Sequence, residues 1–225
     1  MIAGELWSLP KHFPFRDFFD PDAAPWEWLP KIKEALADTI FPSQEAWDVP
    51  PGLTIVGDVF LGKGVKLPPY GFLQGPAWIG AECELRPGVY IRGNVIVGQG
   101  CVLGNSCEYK NCLLLDGVQT PHYNYVGDSI LGNRAHLGAG VILSNLRLDQ
   151  EAIKVMTSEG KVSTGLRKLG ALMADDSEVG CNSSLQPGTI LGRKSIVFPN
   201  LPYSGTLADG MMAASRPDIR VLRRK

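Results

Sequence analysis

Three basic residues and one histidine stand out by type and spacing. Arg92 and Lys110 are separated by three successive six-residue steps, and each follows a large residue of apolar character, as Arg86 also does. Like charges stacked a few ångströms apart repel, so an anion between or beside them is the chemistry this spacing suggests. Phosphate suits both side chains. Ordinary surface charge accounts for any one of them taken alone. His122 follows in the run PHYNYVGDS, with Tyr125 close behind it. Imidazole exchanges a proton near neutral pH, whereas a lone surface histidine after proline needs no role. Both readings of His122 stay open on these residues alone.

Other chemistry is sparse. The chain has three histidines, His12, His122 and His136, and five cysteines. His12 is expected to be solvated. A zinc site of three histidines is not expected, because only His122 and His136 remain as candidates and they stand well apart. The cysteines contain no Cys-x-x-Cys pair, and Cys83, Cys101 and Cys107 read as reduced packing residues of a cytoplasmic protein.

The elements that must carry these residues are written in a six-residue beat. Stepping by six from Ile55 meets Leu61, Leu67, Leu73, Ile79 and Leu85, and continues to Tyr109 and Leu115. The beat resumes at Tyr125, Leu131, Leu137 and Leu143, and again from Met173 to Val197. Glycine often follows a stop, as at Gly62, Gly80, Gly98 and Gly104, where it would allow a positive φ at a tight corner. A flat strand has period two and a helix 3.6. A hexapeptide period marks a parallel β-helix, with three short sides closing one coil. Between Leu115 and Tyr125 the step fails, which predicts a functional loop over PHYNYVGDS.

Two segments lie outside the beat. Residues 1–50 are rich in aromatics and proline, and PWEWLPKIKEALADTIF reads as one helix with Trp28, Leu29, Ile32, Leu36 and Ile40 at helical spacing. A solenoid needs caps on its open ends, so 1–50 is expected to be the N-terminal cap. Residues 146–169 include IKVMTSEGKVST, which predicts a projecting hairpin around a Glu-Gly turn. The β-helix is expected over 51–205, with a basic tail over 206–225.

Composition sets outer limits. At 225 residues, 44% of them hydrophobic, the chain can bury a full core. A net charge of −1 gives no general argument for binding nucleic acid or an anionic membrane. No signal peptide or membrane-spanning run is evident, so a cytoplasmic protein is expected.

The run LGNSCEYKNCLLLDGVQTPHYNYVGDSILGNRAHLGAGVILSNLRLD resembles the acetyltransferase domain of the glucosamine-1-phosphate acetyltransferase and archaeal-type bifunctional sugar-1-phosphate nucleotidylyltransferase/acetyltransferase family. The likeness extends through STGLRKLGALM to QPGTILG, over about residues 79–200. It implies an all-β fold, a left-handed parallel β-helix, assembled as a homotrimer with sites between subunits. It implies acetyl transfer from acetyl-CoA to an amino-sugar 1-phosphate, glucosamine or galactosamine, with His122 as catalytic base. Lys110, Tyr125, Asn145 and Lys154 match the family's substrate contacts. The partnering arginine is Arg86 by its RPG motif or Arg92 by its spacing, with register favouring Arg92. Cys181 and Pro199 would line the acetyl-CoA groove, and the basic tail from Arg216 to Lys225 would either meet coenzyme A phosphates or be solvated. His136 and Glu151 depart from the pattern, where bacterial members have Asn and archaeal-type members Lys. The family's nucleotidyltransferase domain has a Gly-rich phosphate loop that residues 1–50 do not resemble, so uridyl transfer is not expected. A non-catalytic trimer that binds a sugar nucleotide, paired with a separate nucleotidyltransferase, is the alternative.

Overall fold

The computed structural model describes residues 1–41, 48–215 and 222–223. Residues 52–213 wind as a parallel β-helix with three faces. The first face runs from Gly52–Val56 to Pro202–Tyr203, the second from Val59–Leu61 to Thr206–Leu207, and the third from Glu84–Leu85 to Met212–Ala213. The coil therefore continues beyond the expected boundary at 205. The proposed tail contacts of 216–221 and 224–225 lie outside the described residues.

Each strand pairs in parallel with its counterpart one coil on. Ile55 faces Leu73, Leu73 faces Ile91, and Ile91 faces Tyr109, each step a full coil of three hexapeptides. These inward residues form one continuous buried core. The glycines after the stops have a different cause from the one expected. Gly62, Gly80, Gly98 and Gly104 are not among the positive-φ residues. A Cβ at Gly80 would come within 2.3 Å of the Gly98 oxygen, and one at Gly104 within 2.0 Å of the Pro121 carbonyl carbon. Close stacking of successive coils requires them. Positive φ is taken instead by corner residues such as Asn94, Asn111 and Asp128, side chains that tolerate it.

The register changes at one corner. Where one coil turns through Gly93 and Asn94, both at positive φ, the next turns through Asn111 alone. Tyr109 then pairs with Val126, and Val126 with Leu143, each step one residue short of a full coil. The inward stops are Leu114 and Val126, so Leu115 and Tyr125 point outward, contrary to the expected beat. The stop between them is Thr120, buried, with its hydroxyl 2.6 Å from the Tyr109 phenol. A scan for large apolar residues passes over a threonine in this role. No loop interrupts the coil at PHYN. His122 ends the strand Gln119–His122, and Tyr123 and Asn124 make an ordinary corner.

The N-terminal segment covers a side of the solenoid rather than its end. On the second face the outward residues Ile96, Leu113, Ile130, Leu172 and Ile190 are as apolar as the inward ones. A sheet buried on both sides reads as continuous hydrophobic runs, as in VIV, CLL and ALM. Trp7, Phe19, Trp28, Ile32 and Leu36 pack over this face. The Trp7 indole donates to the Met173 carbonyl at 2.8 Å. Arg193 ties the segment down, donating to the Glu5 carbonyl at 2.8 Å and pairing with Asp175 at 2.9 Å. The expected single helix is a 3-10 turn, Pro25–Glu27, followed by an α-helix, Trp28–Ala37, so Ile40 falls beyond it and is 93% exposed. Pro30 is accommodated because it stands in the first turn, where no backbone N–H is required.

The hairpin pairs Lys154–Thr157 with Gly160–Ser163, and its turn centres on Ser158 and Glu159, one residue before the expected place. It lies down instead of projecting. Ile153 and Val155 are buried in the lateral cluster, and the Thr206 hydroxyl donates to the Met156 carbonyl.

Candidate active site

The first face presents two outward columns. One holds Phe72, Tyr90, Glu108, Tyr125 and Ile142 in successive register. The other holds Gln74, Arg92, Lys110 and Gly127. Arg92 Nη1 lies 2.6 Å from Glu108 Oε1, and the guanidinium stands over the Tyr90 ring, 5.9 Å from its centroid. The Glu108 carboxylate holds the Arg92 pKa above its ordinary value, chiefly by this hydrogen bond. Lys110 Nζ lies 3.6 Å from Asp128 Oδ2.

Asp128 is buried at the corner beneath this column, only 4% exposed. Besides Lys110 it receives Asn111 Nδ2 at 2.8 Å and Asn145 Nδ2 at 2.5 Å. Asn145 Nδ2 also donates to the Tyr125 hydroxyl at 3.2 Å. Gly127 makes room for the pair: a Cβ there would lie 2.5 Å from the Tyr125 hydroxyl and 2.9 Å from Asn145 Nδ2. Burial pushes the Tyr125 phenol up, the Asn145 hydrogen bond opposes this, and the charges of Asp128 and Glu108 add to it.

The structure thus brings Arg92, Lys110, Tyr125 and Asn145 together on one edge of the first face. Arg86 is not among them. It sits on the third face, its Nε 2.7 Å from Glu84 Oε1. Lys154 opens the hairpin and lines a shallow groove of about 570 Å³ with Arg147, Ser144, Gln186 and Ser204. Glu151 is exposed in the adjoining loop, its backbone N–H on Asp149 Oδ1 at 3.2 Å.

His122 stands at the opposite edge, where the third face turns into the first. Its carbonyl accepts from the Gly140 N–H at 3.0 Å. Further along the same corner the Asn182 N–H donates to the Ala139 carbonyl and the Asn200 N–H to that of Cys181. Cys181 and Pro199 therefore follow His122 along one corner of the solenoid. A Cβ at Gly138 would lie 3.0 Å from Cys181 Sγ, and one at Gly180 2.6 Å from Pro199 Cδ. His122 and Cys181 are exposed. His136 faces out from the third face, between Gln119 and Glu178.

Sequence reasoning passed over Glu108, Gly127 and Asp128, although all three stand inside the runs EYKN and PHYNYVGDS. His12 is exposed, as expected of a solvated residue, and its Nε2 lies 2.9 Å from Asp116 Oδ2. Among the described residues no group of three or more His, Cys, Asp or Glu could hold a metal ion, and no helix is long and apolar enough to cross a membrane.

A hexapeptide solenoid with a histidine corner and a basic, tyrosine-bearing face is the class that fold and site define. Residues 73–198, more than half of the chain, match the family described as the GMPPB C-terminal domain, and the chain belongs to that family. It is 35% identical over 97 residues to the bifunctional sugar-1-phosphate nucleotidylyltransferase/acetyltransferase of Sulfurisphaera tokodaii, 43% of this chain and 24% of that protein. It is also 35% identical over 156 residues to the uncharacterized acetyltransferase YaiX of Escherichia coli O6:K15:H31, 67% of each chain. The chain spans about a quarter of the length of the curated relatives that it matches first. The crystal structure of the polySia-specific acetyltransferase NeuO shares 17% identity with a TM-score of 0.38, covering 73% of this chain and 81% of that one.

Proposed function

We propose that this chain transfers an acetyl group from acetyl-CoA to the amine of an amino-sugar 1-phosphate. The observation that carries the reading is the gathering of Arg92, Lys110, Tyr125 and Asn145 on one outward face, with His122 at its far edge. The names of relatives that include acetyltransferase support it. Arg92 and Lys110 hold the phosphate, which exchanges with Glu108 and Asp128 for their charges. His122 takes a proton from the acceptor ammonium. The freed amine forms the C–N bond to the thioester carbonyl and gives up a second proton, the C–S bond breaks, and coenzyme A leaves as a thiolate that takes up that proton. Such a base contributes on the order of 10²–10⁴ in rate. Acetyl-CoA lies along the corner of Cys181 and Pro199. A homotrimer belongs to the proposal: Phe72, Tyr90 and Ile142 are 37–41% exposed beside the site, on a face that neighbouring copies would cover.

The test is consumption of the acetyl-CoA thioester with glucosamine 1-phosphate and with galactosamine 1-phosphate. His122→Ala should keep its thermal stability and lose at least about a hundredfold in rate. A native rate in that variant removes His122 as base. Binding of either sugar phosphate without any transfer by the native protein replaces the proposal with the non-catalytic one.

A further inference from the structure

We infer that buried Asp128 sets the hydrogen-bond polarity of the acceptor site, making Tyr125 a donor and Asn145 an acceptor toward the bound sugar phosphate. The inference rests on the function proposed above and goes beyond it, since it specifies what the ligand must offer at two points.

An ionised carboxylate only accepts hydrogen bonds. Asn145 touches Asp128 Oδ2, so it must present its NH₂ group there, which fixes the amide about its last torsion. The second hydrogen of the same Nδ2 points to the Tyr125 hydroxyl, which accepts it. The phenol proton is thereby left to donate elsewhere, and neither of these contacts uses Asn145 Oδ1. A ligand atom that meets the phenol proton has to be an acceptor, as a phosphate oxygen is. One against Asn145 Oδ1 has to be a donor, as a hydroxyl or ammonium is. The pair therefore selects a hydroxylated phosphate ester over a phosphate without neighbouring donors.

The surrounding structure supports a dedicated arrangement. Asp128 is itself fixed by Asn111 and lies under Lys110, so one buried charge orients three side chains of the site. Gly127 leaves the space in which the phenol and amide meet. Asp128 is a positioning residue in this scheme, because it acts through Lys110, Asn145 and Tyr125.

The experiment compares the native protein with Asp128→Asn and with the double exchange Asp128→Asn, Asn145→Asp. Asp128→Asn keeps the shape and removes the acceptor-only group. Its KM for glucosamine 1-phosphate should rise at least tenfold, with the KM for acetyl-CoA within about twofold. The Tyr125 phenol, followed by ring-carbon NMR and assigned with Tyr125→Phe, should titrate at lower pH once the neighbouring charge is gone. The double exchange rebuilds an amide–carboxylate hydrogen bond with the roles reversed, so Tyr125 now donates inward to the carboxylate at position 145. Thermal stability should recover while the acceptor KM stays high. Recovery of both would show that Asp128 merely braces the corner, and would overturn the inference. So would a native KM in Asp128→Asn, or an unmoved Tyr125 titration. A native protein without acetyl transfer, combined with a Tyr125 titration that does move, overturns the proposed function and leaves the polarity assignment standing. Tyr125→Phe removes the donor without touching the corner, and should raise the acceptor KM to the same degree.

Discussion

Arg92 and Lys110 arrive at the surface already paired, one with Glu108 and one with Asp128. A phosphate has to compete with those carboxylates, and it can do so because a phosphate offers more acceptor oxygens to a fork of donors. Each charge-assisted contact is worth about 1.5–3 kcal/mol, or roughly tenfold to a hundredfold in affinity. Lys110→Ala and Arg92→Ala should therefore raise the KM for the sugar phosphate by that factor and leave that for acetyl-CoA nearly unchanged. Arg86→Ala, on the third face beside Glu84, should have the smaller effect. Steady-state kinetics on the three variants decide it, and a larger loss in Arg86→Ala would restore the RPG motif as the phosphate arginine. At this scale the sequence carried the residue types and the one-coil spacing of Arg92 and Lys110. It did not carry the role of Asp128, because that role depends on partners from the neighbouring coils meeting at the same corner.

The stacked strands bury ionisable groups that the site does not use. Burial pushes the thiols of Cys101, Cys107 and Cys112 and the phenol of Tyr109 above their ordinary values. Cys83 is shifted the other way, first by its hydrogen bond with Cys101, and offsets one of them. The unfolded chain ionises these groups first, the thiols near pH 8.5 and the phenol near pH 10 in round figures. Stability from the raised groups is thus fully present below about pH 8.5 and is lost as pH climbs toward the folded values. Each group can cost about 1.4 kcal/mol per pH unit. Thermal melting should be level from about pH 6 to 8 and fall steadily above about 8.5. Tyr109→Phe, which also forfeits the Thr120 bond, should flatten the part above about pH 10. A melting temperature unchanged to about pH 10.5 would contradict the buried, protonated core. The same strands explain the misread beat: a corner one residue shorter at Asn111 moves Leu115 and Tyr125 to the outside.

The whole molecule has one covered face and one that still exposes aromatic rings beside the site. The N-terminal segment and the hairpin occupy the second face, so the proposed trimer would have to form through the first and third. Light scattering should give about three times the chain mass of 24.4 kDa. Tyr90→Glu, in the middle of the exposed column, should shift the protein toward monomer and lower its acetyl transfer together. A fully active monomer would overturn the shared site.

The sequence by itself determined the solenoid and its family. Each position in a six-residue period meets nearly the same surroundings in every coil, so the pattern is local and can be read by counting. It also carried the types and the coil-by-coil spacing of candidate site residues such as Arg92 and Lys110. Tertiary structure decided what counting cannot reach. A one-residue change at a corner turns a side chain from core to surface, so Val126 replaced Tyr125 inside. The aromatic N-terminus went to the side because the second face is apolar outward as well, a match between segments as distant as Trp7 and Met173. The orientation of the Asn145 amide was fixed only when a buried carboxylate came to lie beneath it, since an amide has no preferred direction until an acceptor-only neighbour supplies one.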